Sequence, residues 1–125
     1  MLDPHFWNNK KVFLTGHTGF KGSWMSIWLN ILGANVKGYS LSPPSSPNLF
    51  EQADISNLIT SEINDIRLYE QLNMSIQEFS PEIIFHMAAQ PLVRTSYKDP
   101  LETYETNVMG TANLLQASLN CSSIK

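Results

Sequence analysis

Lys11-Val-Phe-Leu-Thr15 runs directly into Gly16-His-Thr-Gly19-Phe-Lys-Gly22. The first five residues are short and apolar, bounded by polar residues before and glycine after, which is the pattern of a buried strand. Helical spacing follows: Phe20, Trp24, Ile27, Trp28 and Ile31 fall on one stripe, and Gly33 marks a stop. Three glycines between a strand and a helix form a dinucleotide-binding fingerprint. Gly16 permits the tight turn, Gly19 lets a pyrophosphate approach the backbone, and Gly22 lets the helix pack closely. The helix start then offers free amides and a positive dipole end to phosphate. A ligand-free turn leaves three helix-weakening glycines uncompensated. A mononucleotide P-loop requires Gly-Lys-Ser in that order, whereas Lys21 precedes Gly22.

Working outward, Asn35 to Leu41 reads as a second strand and Ser42 to Asn48, with three prolines, as a loop. Ile59, Ser61 and Ile63 alternate as a third strand. Residues 67–79 read as a helix, stopped before Pro81. Glu82 to Ala88 is a near-continuous apolar run, expected of a strand covered on both faces. A last helix starts at Asp99, which caps it, with Pro100 at the first position and Glu102 placed to reach back. Leu101, Tyr104, Val108, Ala112, Leu115 and Leu119 make its expected apolar side. Strands alternating with helices predict an α/β fold: a doubly wound parallel sheet of the Rossmann type, with strand order 3-2-1-4. Such a sheet has about six strands when complete. Residues 1–125 are therefore expected to be the N-terminal part of a dinucleotide-binding domain, with a fifth strand beginning near Ile124.

The chain has 125 residues, 42% of them hydrophobic, enough to bury a core. Its formal charge is −3 with no basic run, which argues against nucleic acid or an anionic membrane as the main partner. One cysteine, Cys121, forms no internal disulfide, and no Cys/His cluster has metal-ligand spacing. No apolar run approaches the roughly 20 residues that span a bilayer, and Met1 to Lys11 has no signal-type core. A soluble, cytoplasmic protein is the expectation.

Thr15 to Gly22 resembles the Thr-Gly-x-x-Gly-x-x-Gly fingerprint of the extended short-chain dehydrogenase/reductase family. Asp65-Ile66, His86 to Gln90 and Thr106 to Thr111 resemble further segments of that family, so the likeness covers nearly the whole chain. Within it, residues 16–24, Pro47 to Glu51, Gln90 to Arg94 and Asn107 to Gly110 are similar to the CDP-glucose branch of the nucleotide-sugar 4,6-dehydratases. The resemblance implies NAD as cofactor, held by Gly16, Thr18, Gly19, Phe20, Lys21 and Gly22 at the phosphates. It implies Asp65 and Ile66 at the adenine, and Ala88, Ala89, Gln90 and Thr106 along the cofactor. Arg94 is the candidate for the substrate phosphate. It also implies a lyase of deoxysugar and O-antigen synthesis that works as a homo-oligomer. In that branch the sugar C4 hydroxyl is oxidised, water leaves across C5 and C6, and a 4-keto-6-deoxy sugar nucleotide results.

The family's proton-moving Tyr-x-x-x-Lys pair has no match here. Four residues after Tyr39, Tyr69, Tyr97 and Tyr104 stand Pro43, Asn73, Leu101 and Val108. The catalytic and sugar-binding segments are therefore expected beyond Lys125, and no catalytic residue is assigned. Asp65 has a second reading as a cap of the following helix, Arg94 as a surface ion-pair partner, and His86 as a satisfied structural histidine. His17 and Lys21 lie in the phosphate loop, and each has a second reading as a residue that simply faces solvent. The second strand ends Tyr39-Ser-Leu-Ser42, with neither the acid that holds ribose hydroxyls nor an arginine. The choice of NAD over NADP rests on the resemblance. Other readings are a nucleotide-sugar epimerase or reductase, and a non-catalytic NAD(P) sensor.

Overall fold

β1 (Lys11–Thr15) is the hub of the fold, pairing in parallel with β2 (Asn35–Ser40) on one side and β4 (Ile83–His86) on the other. The register sets Val12 beside Val36 and Ile83, and Thr15 beside Tyr39 and His86. β3 (Thr60–Ile63) pairs with the outer edge of β2, which gives the order β3-β2-β1-β4 expected from the sequence. The computed structural model describes Asp3 and residues 5–125.

Alternate residues of a strand face opposite ways, so β1 feeds two cores. Phe13 and Tyr39 meet Leu72 and Ile76 of α4 (Tyr69–Phe79), Leu114 and Ala117 of α7 (Gly110–Leu119), and Cys121. On the other face Val12, Leu14 and Val36 meet Leu29 of α1 (Phe20–Ile31) and Ile55 of α3 (Ile55–Leu58). Short helices occupy two connections that the sequence left irregular: α2 (Leu49–Gln52) with α3, and α5 (Val93–Lys98) after β4. The last helix is broken in three. α6 (Pro100–Tyr104) starts as expected on Asp99, whose carboxylate accepts the Glu102 N–H at 3.0 Å. A π-helical turn (Glu105–Met109) then leads into α7.

The expected apolar sides of two helices are corrected. Phe20, Trp24, Trp28 and Ile31 lie outward, Trp28 at 61% exposure, and α1 instead lays Gly22, Ser23, Ser26 and Leu29 on the sheet. The reason is distance: a Cβ at Gly22 would overlap the Gly16 carbonyl, so only a small-residue face can come this near. Leu101, Tyr104, Val108, Leu115 and Leu119 are exposed as well, because α7 buries Gly110, Leu114 and Ala117. β4 is not covered: Ile83 to Phe85 are half-buried and His86 is exposed, with β1 the strand that flanks it among the described residues.

This orientation predicts opposite responses on α1. Ser26→Leu forces bulk into a filled interface and lowers stability by about 1–3 kcal/mol, whereas Trp28→Ala changes it by about 0.5 kcal/mol or less. Urea unfolding midpoints of the two variants check it.

Candidate cofactor site at the carboxyl ends of the strands

The loop that follows β1 is built by backbone contact. Gly16 has φ +79°, in the left-handed region, and a Cβ there would sit 2.7 Å from Ala88 N and the Met87 carbonyl. The turn after β1 and the segment after β4 therefore touch through bare backbone. Gly19 differs, because a Cβ there would meet only Gly16 O at 3.4 Å. Gly19 is the N-cap of α1, with no side-chain cap and no acid in the first turn. The leading amides of α1 thus keep their donors for something other than a side chain.

Thr15, fully buried at the end of β1, ties this loop to the β4 segment. Its Oγ1 accepts the Met87 N–H at 3.0 Å and the Ala88 N–H at 3.1 Å, and bonds His86 Nδ1 at 2.8 Å. The Thr111 hydroxyl donates to Asn107 O at 2.7 Å and contacts His86 Nε2 at 2.9 Å. These bonds fix the proton order: the Thr15 hydroxyl donates to Nδ1, and His86 Nε2–H donates to Thr111. His86 is a satisfied structural histidine.

Asn107, inside the π-helical turn, grips the same segment. Its Oδ1 accepts the Gln90 N–H at 2.8 Å, and its Nδ2 donates to Gln90 O at 3.1 Å. The Gln90 side chain is occupied, donating to Thr103 Oγ1 on α6 at 3.0 Å and accepting the Leu92 N–H at 2.7 Å. Ala88 and Ala89 lie on the stretch so held, Ala89 exposed; Thr106 is half-buried in the π-turn. Arg94 stands exposed on α5 and makes no ion pair among the described residues.

At the end of β2, the Thr18 hydroxyl donates to Leu41 O at 2.8 Å and bonds Ser40 Oγ at 2.9 Å. Ser40 stands where dinucleotide domains often carry an acid, and it is engaged in bolting the glycine loop down. Past β3, Asp65 does not cap α4, whose N-cap is Leu68. Its carboxylate accepts the Arg67 N–H at 2.9 Å and is forked by the Arg67 guanidinium, with Nη2 2.6 Å from Oδ2. That guanidinium holds the Asp65 carboxyl below its ordinary value. The glycine loop, Ser40, Asp65-Ile66 and residues 88–90 thus all gather at the carboxyl ends of the four strands, where open α/β sheets bind ligands.

A family model described as GDP-mannose 4,6 dehydratase matches residues 13–125. The chain belongs to that family. The CDP-glucose 4,6-dehydratase of Salmonella typhimurium is 58% identical to it over 125 residues, 100% of this chain and 35% of that protein. The UDP-glucose 4-epimerase of Mycolicibacterium smegmatis is 35% identical over 111 residues, 86% of this chain and 34% of that one. Among solved structures, the UDP-glucose 4-epimerase of Stenotrophomonas maltophila, with bound NAD and formylated UDP-arabinopyranose, superposes with a TM-score of 0.78 at 26% identity, over 90% of this chain and 34% of that one. The Thermus thermophilus UDP-glucose 4-epimerase in complex with NAD gives 0.78 at 27% identity, over 90% and 35%. The chain spans about a third of the length of the curated relatives it matches.

Within this GDP-mannose 4,6-dehydratase-family chain, Lys21 is exposed at the loop as expected, but His17 is not. Its ring is fully buried beneath the glycine loop, with Nε2 2.7 Å from Ser61 Oγ and the Phe50 ring edge-on at 5.5 Å. Gly38 makes the room, since a Cβ there would overlap the imidazole. A lone loop histidine carries no sequence mark of this burial. Asn107 and Thr15 lie in segments that resemble the family, but the sequence pattern singles out neither.

Burial pushes the His17 imidazole down from 6.5 to about 4. The unfolded chain then binds the proton first, so stability is full above about pH 6.5 and falls as the pH drops toward 4. The dehydratase-family fold should therefore lose about 2 kcal/mol between pH 7 and 4.5 through this group. His17→Gln should flatten that part of the profile, read from urea midpoints at the two pH values. An unchanged slope would show that burial does not lower the His17 pKa in the folded state.

Proposed function

We propose that this chain is the NAD-binding part of a nucleotide-sugar 4,6-dehydratase whose substrate is CDP-glucose. The observation that carries the proposal is the uncapped start of α1 behind a glycine, Gly19, whose Cβ position is open. Backbone amides at a helix N-terminus with no competing side chain suit a diphosphate. The 58% identity to a CDP-glucose 4,6-dehydratase supports the substrate.

In this reading Gly16, Thr18, Gly19, Phe20, Lys21 and Gly22 hold the diphosphate, and Asp65 and Ile66 meet the adenine. Ala88, Ala89, Gln90 and Thr106 line the remainder, and Arg94 awaits the substrate phosphate. NAD bound there would supply hydride-transfer chemistry. The chain's own part is to place the dinucleotide and keep it placed. The Thr15 hydroxyl and the Asn107 amide freeze residues 87–90 in a single backbone arrangement. Such preset geometry lowers the ordering cost of binding.

None of the 125 residues supplies the Tyr-x-x-x-Lys pair. General acid–base groups contribute about 10²–10⁴-fold each. A polypeptide of these residues alone should thus yield no 4-keto sugar from CDP-glucose and NAD, read by absorbance in alkali. A protein in which the same sequence runs on into a Tyr-x-x-x-Lys segment should turn CDP-glucose over. Turnover by the 125-residue polypeptide would place the acid–base groups inside it. Turnover of UDP-glucose or GDP-mannose in preference to CDP-glucose would reassign the substrate.

A further inference from the structure

A hydroxyl has two lone pairs and one proton. Both lone pairs of Thr15 Oγ1 are taken, by the Met87 N–H at 3.0 Å and the Ala88 N–H at 3.1 Å. Its single proton therefore goes to His86 Nδ1, 2.8 Å away. That bond exists only while Nδ1 carries no proton of its own. At the other ring nitrogen, the Thr111 hydroxyl is committed to Asn107 O at 2.7 Å, so Nε2–H donates to Thr111 Oγ1 at 2.9 Å. One protonation state and one tautomer of His86 satisfy every partner.

The imidazolium donates from both nitrogens. Nε2–H would keep its place, but Nδ1–H would point at an oxygen with no lone pair left. Thr15 is fully buried, so solvent has no direct access to the displaced groups. Met87 N–H has a second acceptor, Thr15 O at 3.2 Å. Ala88 N–H has none among the described residues, and neither has the Thr15 hydroxyl proton. Acid thus breaks the network at Ala88. Gln90, two residues on, is held separately by both arms of the Asn107 amide.

His86 is exposed at the end of β4, so protons reach it from solvent. The elements packed around the ring bring few charges to it. β1 carries Lys11 alone, at its opposite end, where the ammonium donates to Phe79 O at 3.1 Å. α7 carries none. On the π-helical turn, Glu105 faces Arg67 at 3.9 Å. Partial desolvation between the two hydroxyls holds the His86 imidazole below its ordinary value. The neutral ring, and the bonds it permits, therefore persist to below the usual histidine range of about 6.5 and are lost as the pH falls further.

We propose that His86 is a positioning residue whose neutral form latches Ala88 to the end of β1: protonation opens the segment after β4 at Ala88 and leaves it anchored at Gln90. Resting on the NAD reading above, this makes the hold on the cofactor acid-sensitive. A histidine that merely filled the space between β1 and α7 would titrate with no selective loss at Ala88.

The test follows the three histidine rings and the backbone amide exchange of the protein by NMR as the pH is lowered from about 8. His86 should show the Nε2–H tautomer above its titration. As it titrates, Ala88 exchange, corrected for its intrinsic pH dependence, should accelerate by about tenfold or more, the scale of one hydrogen bond, while Gln90 stays protected. His86→Asn puts an uncharged amide in place of Nδ1, so Ala88 should stay protected over the same range. Calorimetry gives the NAD affinity of both proteins at the two ends of that range. His17 is common to both, so the wild type should lose about tenfold more affinity than His86→Asn. An Nδ1–H tautomer overturns the proposal, as does Ala88 protection that follows that of Gln90 while the ring titrates. If His86→Asn fails to fold, the wild-type titration decides alone. An equal loss of NAD affinity in the two proteins overturns the coupling to the cofactor. Absence of NAD binding at every pH overturns the NAD reading, and the exchange result still decides the latch.

Discussion

Gly22 lies so close to the Gly16 carbonyl that no side chain fits between them, and most of the site follows from that approach. It brings the first turn of α1 down onto the end of β1. It requires the sheet-facing side of the helix to be small, which Ser23 and Ser26 satisfy. It turns Trp24 and Trp28 outward, against the usual preference of large apolar side chains. It also points the uncapped amides of the helix start into the mouth above the sheet, where the ends of β2, β3 and β4 gather. A helix seated farther out could bury its tryptophans and would lose the amide cradle. The packing cost and the binding geometry are two sides of one contact.

Around that contact, polar side chains rather than apolar ones do the fixing. Thr15 satisfies two backbone amides of the β4 segment and hands a proton to His86, and the chain of bonds runs on through Thr111 to Asn107. Thr18 bolts the glycine loop to the end of β2, and Asn113 holds the turn after β3. Buried polar networks are costly when incomplete and rigid when complete. Three separate sets of such bonds reach the ends of all four strands.

The sheet order and the glycine loop were legible because both depend on local pattern: apolar runs of strand length, glycines at fixed spacing, and Asp99-Pro100 at a helix start. The facing of α1 and α7 was not. A stripe such as Phe20, Trp24, Trp28 and Ile31 shows that a helix is amphipathic, but which side meets the sheet was decided by Gly22 at a distance of one turn. α5 escaped notice because six residues with Val93, Thr95 and Tyr97 give no helical period. The π-turn at Glu105–Met109 has none either. Of the candidate site, the sequence placed the loop, Asp65-Ile66 and residues 88–90 just after strands, which is where they stand in the fold. The burial of His17 and the Gln90–Thr103 bond depend on tertiary neighbours that no spacing reveals, and the forking of Asp65 by Arg67 depends on the backbone conformation of the turn they share.

The central claim is that the α1 amide cradle receives the dinucleotide diphosphate. Gly19→Val tests it most directly, since the protein itself leaves the Gly19 Cβ position open and the residue adopts φ −75°, which valine tolerates. Calorimetric titration with NAD should show affinity reduced by about tenfold or more in the variant, with the thermal unfolding midpoint essentially unchanged. A folded Gly19→Val protein that binds NAD as tightly as the wild type would contradict the account.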